Sequence, residues 1–273
     1  MIKLIAIDLD GTLLRDDKTI SNRNKKVLQQ AKEQGVKVVI CTGRPLFAIK
    51  GFLERLELED AGDYSITFNG SSVQKNDTGE TLLAHSLSFE EVLFAYEEVT
   101  KLGLPLDIIS GDTVIHLPAP KGRESIYEGM NPLLKVENTT IEELDPNRMF
   151  NKMVVAADQD YLDEKIAVMP EIMLRTFNLM KSRDDLLEVI HKEASKARGI
   201  HELAEYLGIK QEEVMAIGDE GNDASMIEYA GVGVVMENGN PLLKQMAQFI
   251  TKSNQEDGVA YAVEQLVLTK EEG

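Results

Sequence analysis

Four short runs in this chain are almost free of polar residues: 2–8 (IKLIAID), 36–41 (VKVVIC), 214–219 (VMAIGD) and 232–236 (VGVVM). A strand wet on one side alternates apolar and polar residues. A strand without that alternation is buried on both faces, as in a parallel sheet covered by helices on either side. The intervals between the runs agree. Ser21 is placed to cap a helix carrying Val27, Leu28 and Ala31, and Gly35 to end it. A second helix is predicted at about residues 45–56 and a third strand in YSITFNG (64–70). Strand alternating with helix implies right-handed crossovers, so the predicted fold class is α/β with a doubly wound parallel sheet.

The middle of the chain breaks this rhythm. VQKNDTGETLL reads as a hairpin, Ser88 and Glu91 as a capping box for a helix to about Leu102, and LDIIS-GD-TVIHL as a second hairpin. KMVVAA, IMLRTF and LLEVI are predicted strands. Residues 84–184 are therefore expected to form an inserted α+β module, with 1–83 and 185–273 building one core. Hinges are expected near 81–86 and 182–190, where the insertion enters and leaves. The charged tail TKEEG (269–273) is expected to fray.

The first run ends in IAIDLDGTLL, which sets Asp8 and Asp10 two positions apart. Along a strand such positions share a face, and two like charges held side by side repel. Taken alone, the pair fits a solvated turn at Asp10-Gly11. The wider pattern changes this. In an open parallel sheet the ligand site lies beyond the carboxyl ends of the strands, where strand order reverses. The natural winding puts that reversal between the strand ending at Asp8 and the one ending at Asp219, and GDEGND adds Asn222 and Asp223. Four carboxylates would meet at one edge. Oxygen donors without His or Cys suit a hard cation, with Mg²⁺ as the expected ion. On the neighbouring strand, Thr42 and Gly43 of CTGR offer a hydroxyl and a closely approachable backbone, suited to an oxyanion. Taken alone, Lys196 reads as a solvated lysine. Asn69-Gly70 fits either a ligand-facing loop or a plain turn.

The net charge of −18 and pI near 4.7 argue against nucleic acid or an anionic membrane as partner. The single cysteine, Cys41, closes an apolar strand and is expected to pack as a small hydrophobe. His85, His116, His191 and His201 lack ligand spacing. With neither a cleavable signal pattern nor a span-length apolar run, a cytoplasmic location is expected.

Four motifs in this order, D-x-D-G-T at Asp8 to Thr12, Thr42-Gly43-Arg44, Lys196, and G-D-x-x-N-D at Gly218 to Asp223, resemble the haloacid dehalogenase superfamily of phosphatases. The insertion after the third strand looks like the class IIB cap of its Cof-type branch. The resemblance implies a Rossmann-like core with a cap for substrate choice, and Mg²⁺-dependent hydrolysis of small phosphorylated metabolites, sugar phosphates above all. It implies Asp8 as nucleophile, Asp10 as acid and base, and Asp8, the Asp10 carbonyl and Asp219 as metal ligands. Thr42, Gly43 and Lys196 would bind phosphate. Asn222 would contact phosphate or orient Lys196, and Asp223 would act through metal-bound water. Ala197 and Arg198 stand where many relatives carry a glycine directly after the lysine. A phosphomutase, a phosphatase for flavin or pyridoxal phosphates, and a non-catalytic sugar-phosphate sensor are the alternatives. The protein is expected as a monomer or homodimer.

Overall fold

The computed structural model describes residues 1–130 and 132–268; the TKEEG tail lies outside the described residues. Five strands precede residue 85: β1 (Leu4–Ile7), β2 (Lys37–Cys41), β3 (Tyr64–Thr67), β4 (Ser72–Lys75) and β5 (Thr81–Ala84). Six follow up to residue 191: β6 (Asp107–Ser110), β7 (Thr113–His116), β8 (Lys135–Asn138), β9 (Lys152–Ala156), β10 (Phe177–Arg183) and β11 (Leu186–His191). The last three are β12 (Val214–Gly218), β13 (Val232–Val235) and β14 (Phe249–Ile250). The chain divides into two compact units, residues 1–84 with the chain from Ser195 onward, and His85–Ala194.

The first unit holds an eight-stranded sheet in the order β14-β13-β12-β1-β2-β3-β4-β5, in which β4 alone runs against the others. Chain order reverses between β12 and β1, where the apolar runs predicted it. Both faces of β1 are buried. Ile5 and Ile7 join Val38, Ile40, Met215 and Ile217 under the helices Asn22–Glu33, Leu46–Leu56 and Gly258–Leu266. Leu4 and Ala6 join Val39, Cys41 and Val214 under the helix Lys196–Leu207, through Ile200, Leu203 and Ala204. Ser21 caps its helix by accepting from the Asn24 amide (2.9 Å), as its position predicts. Burial pushes the Cys41 thiol up to about 12, the behaviour of a packed hydrophobe.

The second unit is built on a six-stranded sheet, β10-β11-β9-β6-β7-β8, antiparallel except at β7–β8. Ile108, Ile115, Met153, Val155, Leu187 and Val189 pack on the helices Phe89–Lys101 and Gln159–Ile166. Ser88 and Glu91 form the predicted capping box. Glu188 and Asp107 both register with Val154, and His116 registers with Asp107, so these three form a polar row on one face. A buried pair, Lys152 Nζ with Glu188 Oε1 (3.0 Å), and a partly buried one, His116 Nδ1 with Asp107 Oδ1 (2.7 Å), satisfy most of that row. The Ser125 hydroxyl donates to the other oxygen of Asp107.

Two expectations need correction. IMLRTF is not a strand: Glu171–Thr176 is helical and the strand begins at Phe177. Pro170 opens that helix and only Met173 is buried in it, so its run of apolar residues carried no strand alternation to decide between the two forms. The return to the core is also later than residue 184. Leu186–His191 pairs with β9 and β10, so the boundary falls between Ala194 and Ser195, and residues 182–190 lie in the β10–β11 hairpin, with its turn at Asp184-Asp185. Among the described residues no helix is long and apolar enough to cross a membrane.

Candidate active site

β1 and β12 run side by side with Ile7 opposite Ile217, so Asp8 and the Gly218-Asp219 pair leave the sheet at the same level. The backbone here is built for close approach. Gly11 has φ +82°, and a Cβ there would lie 2.2 Å from Asp219 Oδ2. A Cβ on Gly70 (φ +96°) would lie 1.9 Å from the Ser195 carbonyl. These two glycines let the β1 and β3 loops press against the loops that carry Asp219 and Lys196.

Asp8, Asp219 and Asp223 come together, with one carboxylate oxygen from each lying within 4.8 Å of the others. Lys196 sits among them, fully buried, its ammonium 2.6 Å from Asp8 Oδ1 and 2.6 Å from Asp223 Oδ1. The solvated reading of Lys196 is thus overturned. Ser195 caps the helix that Lys196 begins, accepting from the Arg198 amide (3.1 Å), and this aims the lysine inward. Arg198 turns outward to Glu202 (2.5 Å). The glycine three places after Lys196 has its own function: a Cβ on Gly199 would meet Ile66 Cγ2 at 2.7 Å.

Charge sets the protonation of the cluster. Burial pushes Asp8 up to about 8; Lys196 pulls it down, while Asp223 and Asp219 push it further up. Burial likewise raises Asp219 to about 7, against the hydrogen bond it accepts from Thr12 Oγ1 (2.6 Å). Lys196 is raised: burial lowers it, but Asp223 and Asp8 outweigh the burial. Asp223 is fully employed, its second oxygen accepting from the amides of Asp219 (2.9 Å) and Glu220 (3.0 Å). It braces the loop and the lysine.

Asp10 does not join this cluster, so three of the four expected carboxylates converge. β1 ends at Ile7, and strand alternation no longer governs the turn beyond it. Asp10 instead accepts from Arg44 Nε (2.8 Å) and Nη2 (2.7 Å) and from Lys18 Nζ (2.8 Å). Burial alone would raise its carboxyl; these partners hold it below the usual carboxylate range. Thr42 is buried, and its hydroxyl accepts from the Arg44 amide (3.2 Å). A Cβ on Gly43 would sit 2.9 Å from the Asn69 carboxamide, and Asn222 Nδ2 donates to Asn69 Oδ1 (3.3 Å). Asn69, left-handed at φ 57°, therefore links the Thr42-Gly43 loop to the acidic loop. Sequence reading assigned no role to Arg44, Lys18 or Thr12; Thr12 and Arg44 lay inside the motifs, while Lys18 carries no local signal.

The profile of the haloacid dehalogenase-like hydrolases matches residues 5–263. Bacillus subtilis YxeH, which carries a provisional phosphatase name, is 36% identical over 270 residues, 99% of this chain and 100% of that protein. A second B. subtilis protein, the 5-amino-6-(5-phospho-D-ribitylamino)uracil phosphatase YwtE, is 30% identical over 97% of this chain and 98% of its own length. The crystal structure of a haloacid dehalogenase-like hydrolase from Bacteroides thetaiotaomicron superposes with a TM-score of 0.83 at 29% identity, covering 97% of this chain and 100% of that one.

Proposed function

The chain belongs to the haloacid dehalogenase-like hydrolases and is a phosphatase, and from that premise we propose that it hydrolyses phosphomonoesters of small sugars and polyols with Mg²⁺ through an aspartyl-phosphate on Asp8. The observation that carries the reading is the charge balance at the β1–β12 edge: three carboxylates within 4.8 Å around one ammonium. An all-oxygen donor set with surplus negative charge, part of it already driven toward protonation, fits a hard divalent cation. Asp8, Asp219 and the Asp10 carbonyl would hold it, and Asp223 would stand behind them. Mg²⁺ in that place supplies the positive charge that lets a carboxylate approach a phosphate dianion.

In this reading an Asp8 oxygen forms the bond to phosphorus as the bond from phosphorus to the leaving alkoxide breaks. Asp10 would give the alkoxide its proton; for that step it must be protonated, so its pairing with Arg44 and Lys18 has to loosen when substrate binds. Water then attacks the acyl phosphate, Asp10 takes its proton, and inorganic phosphate leaves Asp8 free. The Thr42 hydroxyl, the Gly43 amide and the Lys196 ammonium bind the non-bridging oxygens, where charge spreads in the transition state. Asn222, tied to Asn69, borders the same site. The polyol part of the reading is supported by YwtE, whose named substrate is a uracil carrying a 5-phosphoribitylamino chain. We assign choice of leaving group to the His85–Ala194 unit, whose sheet buries the Lys152–Glu188 ion pair.

A phosphate-release assay over a panel of phosphorylated metabolites with Mg²⁺ tests this. Turnover on sugar or polyol esters, lost in a folded Asp8→Asn protein, is the expected result. Isomer interconversion without phosphate release would make the protein a mutase, and saturable binding without turnover a sensor.

A further inference from the structure

We infer that Asn69 is a positioning residue for the phosphate subsite, its carboxamide fixing the Thr42-Gly43 loop against Asn222 from a left-handed turn. The inference rests on the reading of Thr42, Gly43 and Asn222 as phosphate-binding groups. Three residues in succession have positive φ: Phe68 at 51°, Asn69 at 57° and Gly70 at 96°. Glycine adopts this conformation freely and asparagine at little cost, but a side chain as bulky as phenylalanine is strained there. Such strain persists only where the surrounding structure over-determines it.

The surroundings here are the loops of the site. The Phe68 amide donates to the Arg44 carbonyl (3.3 Å) and the Asn69 amide to the Thr42 carbonyl (3.0 Å). The turn is thus fastened to both ends of Thr42-Gly43-Arg44. Gly70 meanwhile presses on the backbone of Ser195 and Lys196, where the helix carrying the buried lysine begins. Asn69 is left only 1% exposed, its carboxamide against Gly43 on one side and accepting from Asn222 Nδ2 (3.3 Å) on the other.

The choice of asparagine follows from this geometry. Gly43 has no side chain to hold its own peptide plane, and Asn222 lies in the three-residue 3₁₀ turn Gly221–Asp223. One carboxamide in contact with both sets the distance between them. Glycine at position 69 would keep the turn and touch neither loop. An aspartate would fit the turn but carry a negative charge to where a phosphate arrives.

Asn69→Gly therefore isolates the side chain from the backbone. Calorimetric binding of inorganic phosphate at saturating Mg²⁺ is compared between variant and wild type. Hydrolysis is compared on p-nitrophenyl phosphate and on whichever sugar phosphate wild type turns over fastest. Phosphate affinity should fall by about tenfold, and kcat/KM by about the same factor on both esters, because the phosphate is common to them. Mg²⁺ affinity without phosphate and the melting temperature should stay near wild type, which separates positioning from a general loosening of the fold. Asn69→Asp should weaken phosphate binding further than Asn69→Gly does.

Wild-type phosphate affinity in either variant would overturn the inference. So would a loss in Asn69→Gly matched by falls in Mg²⁺ affinity and melting temperature. An effect on the sugar phosphate alone would place Asn69 against the leaving group and overturn it too. Should Thr42→Ala also bind phosphate as wild type does, the reading of this loop as the phosphate site fails and the inference falls with it.

Discussion

Asp8 and Lys196, 188 residues apart in the chain, meet at 2.6 Å in a site where the lysine side chain is fully buried. Lys196 also holds Asp223 at 2.6 Å, so one ammonium compensates two buried carboxylates. Removing one partner of such a pair leaves charge without compensation in a low-dielectric interior. Lys196→Met should therefore destabilise the fold by about 3 kcal/mol and abolish most turnover. Denaturant unfolding together with phosphate release checks both, and an unchanged unfolding midpoint would contradict the role given to the pair.

Gly11→Ala should damage the site while sparing the core. A Cβ at this left-handed position would sit 2.2 Å from Asp219 Oδ2, so Asp219 would have to turn away. Mg²⁺ affinity should weaken by about 10- to 100-fold, the range seen when a ligand's support is disturbed. Calorimetric Mg²⁺ titration of wild type and variant measures this; equal affinities would mean Asp219 does not hold the ion.

Chelation should remove activity, and Mg²⁺ should restore it. Ca²⁺ should restore it poorly, because its longer bonds and looser coordination misplace the reacting groups. Since binding to the folded state alone raises stability, Mg²⁺ should also raise the melting temperature. Full turnover in chelated buffer is the result that would refute a metal-dependent mechanism.

The second unit should respond to pH through His116. Its hydrogen bond to Asp107 raises the imidazole pKa, against a smaller lowering by burial. A raised folded value means the folded protein binds the proton more tightly than the unfolded chain. The stabilisation is therefore fully present below the ordinary histidine value near 6.5 and is lost as pH rises through the raised one. The melting-temperature gap between wild type and His116→Ala should be wider at pH 5.5 than at pH 9. A gap independent of pH would show that the pair acts by packing alone.

Much of this protein was legible in its sequence. Uninterrupted apolar runs identify strands buried on both faces, and the reversal of strand order places Asp8 and Asp219 at one edge. Those features are local, set by residue periodicity and by what stands at the end of a strand. The rest depended on contacts that no local pattern encodes. Asp10 leaves the expected cluster because β1 stops at Ile7 and because Arg44, 34 residues away, and Lys18 offer opposite charge. Lys196 looks like any surface lysine until Asp8 and Asp223 close around it. The return to the core was misplaced because Leu186–His191 could pair in either sheet by its sequence, and only its ladder with Lys152–Ala156 assigns it to the second unit. Periodicity is a property of neighbours along the chain and so can be read from it. Which charges end up facing each other across an edge is decided by the packing of distant segments, where the cost of desolvating an unpaired charge selects the partner.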